Sequence, residues 1–368
     1  MVKKTDNKNT NAAPDTKKGR GRPSKLDKEK HIAAVKGVAR PSKQSAPASA
    51  STLTLEALTQ TSTVLGSVQV LNPSVNIKMF QIYFRPEQKK KLDPDMVHFD
   101  NSKRKNHLLE YDVFRRLAAS DLVHNCDYWG AVSWKFGEVM GFGGAAMKAF
   151  IAKNPGYDVY FCNPHPTIEG VYENLWVQGE ISHPNFMRLS QAFMKAAGLS
   201  DSGLHTVVPS NYMASANYFV ANRRFWKAYF DFIDGALSKA EQNLSQEVLA
   251  VLLSPVADNK GLHNGANYVP FIVERLLTEF LMNQVGHFRA IKVRSPKLEA
   301  KLSEHHKSLR TLKDLAIRSK NEPLLDCWRN YRNLLLSALA EPDALRPYAE
   351  LLTNKRVNFF APPEGEGT

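Results

Sequence analysis

The sequence contains no apolar run of 18 or more residues, so no transmembrane helix is expected. Residues 1–40 are charged throughout and lack an apolar h-region, which argues against a secretory signal. Cysteine is scarce. Cys126, Cys162 and Cys327 lie far apart, with no CxxC pair and no zinc-type spacing. Three isolated thiols exclude a disulfide framework and fit a reducing compartment, the cytoplasm of a cell or of a phage-infected host. Large apolar side chains are also scarce in residues 1–51, which are rich in Lys, Ala, Ser, Thr, Asn and Pro. Such a segment cannot bury enough surface to offset chain entropy, and disorder is expected over it.

Charge is unevenly distributed. The 368 residues carry a formal net charge of +13. Residues 1–51 hold thirteen Lys/Arg and four Asp/Glu, a net of +9, whereas the rest hold 36 and 32, a net of +4. A strongly basic arm on a near-neutral body points to a polyanionic partner for the arm. Within it, Gly19-Arg20-Gly21-Arg22-Pro23-Ser24-Lys25 resembles the AT-hook, a minor-groove DNA-binding motif with an Arg-Gly-Arg-Pro core. Arginine side chains are drawn to the negative potential of a narrow A·T-rich groove. Gly21 permits close approach, Pro23 keeps the chain extended, and Lys25 supplies a phosphate contact. The resemblance implies DNA contact through Arg20, Gly21, Arg22, Pro23 and Lys25. RNA, another polyanion or a purely solubilising tail remain open alternatives.

The chain as a whole is 43% hydrophobic and 10% aromatic, which fits a packed core. Short β-rich runs at 78–84, 128–134, 158–162, 216–220 and 288–293 alternate with helical patterns at 106–119, 138–151, 185–197, 224–243 and 269–284. This pattern predicts an α/β domain, a mostly parallel sheet flanked by helices. The expected organisation is a basic arm and linker over 1–75, the α/β domain over 76–295, and a helical extension with a loose tail over 296–368.

An ordered set of short motifs over residues 78–293 resembles a bacterial family of glycosyltransferase-like domains associated with polysaccharide synthesis. The motifs are Asp100-Asn101-Ser102 with Asn106 and Glu110-Tyr111; Cys126-Asp127-Tyr128-Trp129-Gly130; Tyr157-Asp158-Val159; Val171-Tyr172-Glu173 with His183; Ala216-Asn217-Tyr218-Phe219-Val220 before Arg224-Phe225-Trp226; and Glu274-Arg275-Leu276-Leu277. The resemblance implies a GT-A-like, Rossmann-like fold and a nucleotide-sugar donor. Two departures stand out. No Asp-x-Asp lies at a strand end, and Asp93-Pro94-Asp95 has that spelling only in an early Pro-containing loop. The family's His-Tyr-Arg-Arg is replaced by Val132-Ser133-Trp134-Lys135. A divalent metal stays possible but is not indicated by a clear Asp-x-Asp; without one, Lys135, Arg275 or a helix N-terminus is left to neutralise the leaving diphosphate.

Sugar transfer requires a base for the acceptor hydroxyl, cationic groups for the diphosphate and flat apolar surfaces for a ring. Asp127, Asp158 and Glu110 are the catalytic candidates. Tyr111, Trp129, Lys135, Asn163, His165, His183, Asn217, Glu274 and Arg275 are the candidates for holding donor or substrate. Each has a plainer alternative: turn acids for Asp127 and Asp158, a surface ion pair for Glu110, a loop or capping role for His165 and His183, backbone bonding for Asn217, an internal pair for Glu274 and Arg275, and core packing for Trp129. Three functions fit: a glycosyltransferase acting on a hydroxylated base in DNA, one acting on a surface polysaccharide or protein, and a non-enzymatic DNA-binding protein with a degenerate transferase fold.

Overall fold

The computed structural model describes residues 75–103, 107–256 and 265–339. The AT-hook-like residues Arg20, Gly21, Arg22, Pro23 and Lys25 lie outside them, as does the tail 361–368. The described residues form strands β1 (Ile77–Tyr83), β2 (Val97–Asp100), β3 (Tyr128–Ser133), β4 (Val159–Phe161), β5 (Phe219–Asn222) and β6 (Ala290–Lys292). Helices are α1 (Glu110–Ala118), α2 (Phe136–Met140), α3 (Gly144–Lys153), α4 (Pro166–Val171), α5 (Leu175–Ser182), α6 (Phe186–Ala196), α7 (Arg223–Asn243), α8 (Gln246–Leu253), α9 (Val269–Asn283), α10 (Pro296–Glu299), α11 (Glu304–Ser319) and α12 (Glu322–Leu339).

The strands make one sheet in the order β2-β1-β3-β5-β4-β6. The β1–β2, β1–β3 and β4–β6 pairs are parallel, while β5 runs antiparallel to both β3 and β4. The sheet is the mostly parallel, helix-flanked α/β arrangement expected. Two strands differ from expectation. β2 was not anticipated, because its four residues are largely exposed and too few to show a period. The expected strand at 216–220 begins only at Phe219, because Ala216 and Asn217 adopt positive φ values of 67° and 53°. The helix expected over 138–151 is split at Gly141, whose φ of 74° ends α2 in a left-handed cap.

Alternation along the strands sorts side chains to two faces. Phe80, Ile82, Trp129, Ala131, Val159, Phe161, Phe219 and Ala221 join the larger core, with side chains from α1, α6, α7 and α9. Met79, Val132, Tyr160, Cys162, Val220 and Ile291 join the smaller one, with α2 and α3. Both faces are thus covered, as the apolar character of the central strands requires. α7 shows the rule for helices. Its buried Phe225, Trp226, Tyr229, Ile233, Ala236 and Ala240 follow one stripe, and Asn222 caps it by accepting from the Phe225 N–H.

Gly130 sits where β3 crosses closest to β5. A Cβ there would lie 2.1 Å from the Phe219 carbonyl oxygen, a backbone atom that cannot rotate away. Gly130→Ala is expected to lower the unfolding free energy by at least about 2 kcal/mol. A urea midpoint unchanged from wild type would contradict this packing.

α11 and α12 pack on α4 around Leu309, Ala316 and Trp328, whose indole donates to the Gly170 carbonyl at 2.8 Å. Lys313 is 0% exposed in this layer. Its ammonium donates to the Tyr172 carbonyl at 3.1 Å and to the Met213 sulfur at 3.4 Å, and makes no ion pair within 4 Å among the described residues. Burial pulls its pKa from 10.5 down to about 8, against the more distant charges of Asp314, Glu169 and Glu173 and with that of Lys292. Between those two values the unfolded chain binds more protons than the folded one, so stability rises with pH from about 8 to 10.5. Lys313→Met is expected to stabilise the protein at pH 7 by about 1–3 kcal/mol and to flatten that rise. Denaturant curves at pH 7 and 10 give the check; a destabilised variant with the same pH slope would refute it.

Candidate functional site

Ligands of open α/β sheets bind in the crevice outside the carboxyl ends of the parallel strands. Here that edge comprises Phe84 and Arg85 after β1, Trp134 and Lys135 after β3, and Asn163 to His165 after β4. β5 runs the other way, so it brings its start, Ser215 to Tyr218, to the same edge.

Backbone strain concentrates there. Ala216 and Asn217 have consecutive positive φ values, and Leu109, immediately before Glu110, has φ 48° and ψ −118°. Such conformations cost roughly 1–3 kcal/mol each and persist only where surroundings impose them. The imposing contacts are visible. Cys162 N–H donates to the Tyr218 carbonyl at 2.8 Å. Ala214 N–H donates to Thr278 Oγ1 at 3.1 Å. Ser215 Oγ donates to Asn163 Oδ1 at 2.7 Å, and the His165 N–H donates to the same oxygen at 3.0 Å. Tyr218 and Ser133 share a hydroxyl–hydroxyl hydrogen bond of 2.7 Å.

Among the described residues, two buried polar atoms beside this corner have no hydrogen-bond partner, Asn217 Oδ1 and the Tyr229 hydroxyl. Asn217 is 5% exposed and Tyr229 is 0% exposed. Leaving such groups unpaired costs roughly 1–3 kcal/mol each, so they mark a place built for something else to bind. Glu274 stands on α9 one turn before Thr278, on the side that holds Ala214. It is half-buried and makes no hydrogen bond or ion pair among the described residues. Burial pushes the Tyr218 phenol up to about 12; the Ser133 hydrogen bond opposes this, and the charges of Glu110 and Glu274 add to it. The Tyr229 phenol is also raised, by burial and then by Glu274. His165, exposed at the rim, has its pKa lowered by the surrounding protein while Glu274 works against that. Glu110, His165, Asn217, Tyr218 and Glu274 therefore share one electrostatic neighbourhood.

Behind the corner lies a dry ionic cluster. Asn163 Nδ2 donates to Glu169 Oε1 at 2.8 Å. Lys292 Nζ reaches Glu169 Oε1 at 2.7 Å and Arg294 reaches Oε2 at 2.8 Å. Burial alone would raise the Glu169 pKa, but Lys292, Arg294 and Arg310 overcome it and hold the carboxyl at about 2. Outside the corner the rim is basic and aromatic. Lys91 and Lys135 each lie 5.2 Å from the Trp134 ring centroid, and Lys89 lies 5.3 Å from that of Tyr83.

The remaining sequence candidates are placed elsewhere. Asp127 precedes β3, at the opposite edge of the sheet, where its Oδ2 accepts from Asn76 N–H at 2.7 Å. Asp158 precedes β4 at that same far edge and is engaged by Arg224, Asn222 and the Arg289 N–H. Both serve as backbone and ion-pair anchors, so the structure does not bring them to the carboxyl-end crevice. Trp129 is core, stacked on Trp226 at 4.0 Å. Tyr111 is buried and donates to Asp234 Oδ1 at 2.8 Å. His183 is buried and stacks on Phe271 at 4.0 Å. Arg275 faces inward; its guanidinium donates to the Leu175 and Phe271 carbonyls and to Gln178 Oε1, tying α9 to α5. Ser133, Ser215, Tyr218, Tyr229 and Glu169 were not singled out from sequence. Ser133 lies at the carboxyl end of a strand-like run, and that position was the available signal.

Among the described residues no three His, Cys, Asp or Glu side chains stand together to hold a metal ion. Asp93 is committed to capping, accepting from Gly144 N–H at 2.7 Å and from Asp95 N–H at 2.9 Å. No helix among the described residues is long and apolar enough to cross a membrane.

No family model and no curated protein matches this chain. Among solved structures, the apo form of a bifunctional glycosyltransferase, WbbM, aligns with 60% of this chain at 10% identity and a TM-score of 0.37. The alignment spans 45% of that protein's own length.

Proposed function

We propose that the chain is a glycosyltransferase that takes a nucleotide-sugar donor over the carboxyl-end edge of β1, β3 and β4, and that its acceptor is a hydroxylated base in DNA. The observation that carries the site is the strained Ala216–Asn217 corner, with two unpartnered buried polar atoms beside an unpaired carboxylate. Lys91 and Lys135 on Trp134 offer cations to the diphosphate at the rim. Glu274 is placed to accept the proton of an acceptor hydroxyl as it attacks the sugar. The ordered motifs over 78–293 support the sugar-transfer chemistry. The arm carrying Arg20-Gly21-Arg22-Pro23 supports DNA as the acceptor. A base in a duplex must leave the stack to be reached, at a cost of roughly a few kcal/mol, and an arm gripping the adjacent groove keeps the enzyme in place meanwhile.

Mass spectrometry of nucleosides from DNA co-expressed with the protein, in a host that supplies a hydroxylated base, tests this reading. A glycosylated nucleoside is expected. Unmodified acceptor in the presence of a donor shown to bind would remove DNA as the acceptor. For the arm, a chain beginning at Asn76 is expected to bind A·T-rich duplex at least about tenfold more weakly than the full chain, with a flatter salt dependence. Equal affinity in a gel-shift titration would take the arm out of the account.

A further inference from the structure

We propose that the sugar ring taken at this site is uncharged or carries an amino group, and that sugars bearing a carboxylate are rejected. This rests on the glycosyltransferase reading and specifies its donor. The centre of the site offers hydrogen-bond acceptors and negative charge. Glu274 makes no hydrogen bond or ion pair among the described residues and faces the corner formed by Ala214 to Asn217. Glu110 begins α1, and its charge also reaches the Tyr218 phenol. Asn217 Oδ1 belongs to the corner itself, and Tyr229 packs 5.6 Å from the ring of Phe219; neither polar atom has a hydrogen-bond partner among the described residues. Sugar hydroxyls can satisfy these groups as donors, and an ammonium can do so with opposite charge.

The neighbouring cations are not available to a ligand carboxylate here. Arg275 is spent on two carbonyls and Gln178, away from the crevice. Lys292 and Arg294 are buried against Glu169. Lys91 and Lys135 rest on Trp134 at the rim, where a diphosphate would lie. Charge is thus segregated, positive where phosphates sit and negative where the ring sits. A ring carboxylate would face Glu274 in a half-buried setting, where repulsion between like charges is weakly screened.

The test is calorimetric titration of the full chain with three ligands on one nucleoside diphosphate, differing only in the sugar: glucose, glucosamine and glucuronic acid. Uridine, thymidine, guanosine, adenosine and cytidine diphosphates are tried in turn. The glucose and glucosamine compounds are expected to bind at least about tenfold more tightly than the glucuronic acid compound. Glu274→Gln is expected to shrink the gap to less than about threefold, with an unchanged unfolding midpoint. Equal or tighter binding of the glucuronic acid compound to wild type would overturn the proposal alone. A gap undiminished in Glu274→Gln would do the same. Failure of all three sugars on every nucleotide would instead overturn the glycosyltransferase reading, and the proposal with it.

Discussion

Glu169→Ala is expected to lower the unfolding free energy by about 3–5 kcal/mol, the usual loss when one member of a buried ion pair is removed. The reason lies in what the carboxylate holds. Its two oxygens receive Lys292, Arg294 and Asn163, all three buried, and Arg310 stands 3.5 Å away. Alanine would leave Lys292 and Arg294 without that counter-charge in a medium that solvates them poorly. Glu169→Gln keeps acceptor geometry on one oxygen but loses the charge, so a smaller loss is expected. The acid response follows from the same cluster. The folded-state pKa, about 2, lies below the ordinary 4.5, so the stabilisation is complete above about 4.5 and is lost as pH falls toward 2. Glu169→Gln should lack that component of the acid transition. Urea unfolding at pH 7 and pH 3 reads both effects. A loss below about 1 kcal/mol for Glu169→Ala would mean that the cluster contributes little to folding.

The second large effect is on catalysis. Glu274→Gln is expected to lower the transfer rate by about 10²–10⁴-fold, the range associated with removing a general base. The substitution is nearly isosteric, and Glu274 makes no hydrogen bond or ion pair among the described residues, so stability should change little. Glu110→Gln serves as the comparison: the Glu110 charge also reaches Tyr218, but from the α1 side. If Glu274 is the base, its replacement should depress kcat and abolish the acidic limb of the pH–rate profile. A variant with kcat within about threefold of wild type would assign the proton to another group.

Much of the architecture could be read from the sequence because parallel α/β folds write themselves as alternating periods. The runs at 78–84 and 128–134 were legible as β1 and β3, since both are rich in β-forming side chains and are largely buried on both faces. The direction of β5 was not legible. A strand of four residues has the same composition whichever way it runs, and its orientation is set by neighbours far away in sequence. That orientation decides which of its ends faces the crevice, and it is why Asn217 and Tyr218, which precede the strand, reach the same edge as Asn163, which follows one. Asp127 and Asp158 stood out as acids beside strands, but both precede strands of the parallel set and so belong to the far edge. Side-chain commitments were likewise invisible. Glu274 and Arg275 are adjacent in sequence, yet one faces the crevice and the other is bonded into the core. The strain at Ala216 and Asn217 left no trace in composition, since neither is glycine.

The central claim is that a nucleotide sugar binds over the corner formed by the end of β4, the start of β5 and α9. Amide hydrogen exchange with and without a nucleotide sugar tests it most directly. Ligand-dependent protection is expected over residues 163–169, 214–220 and 270–278, and its loss in Asn217→Ala. Protection confined to the opposite edge, around Asp127, Asp158 and Arg223, would contradict it, as would no protection at any concentration of any nucleotide sugar.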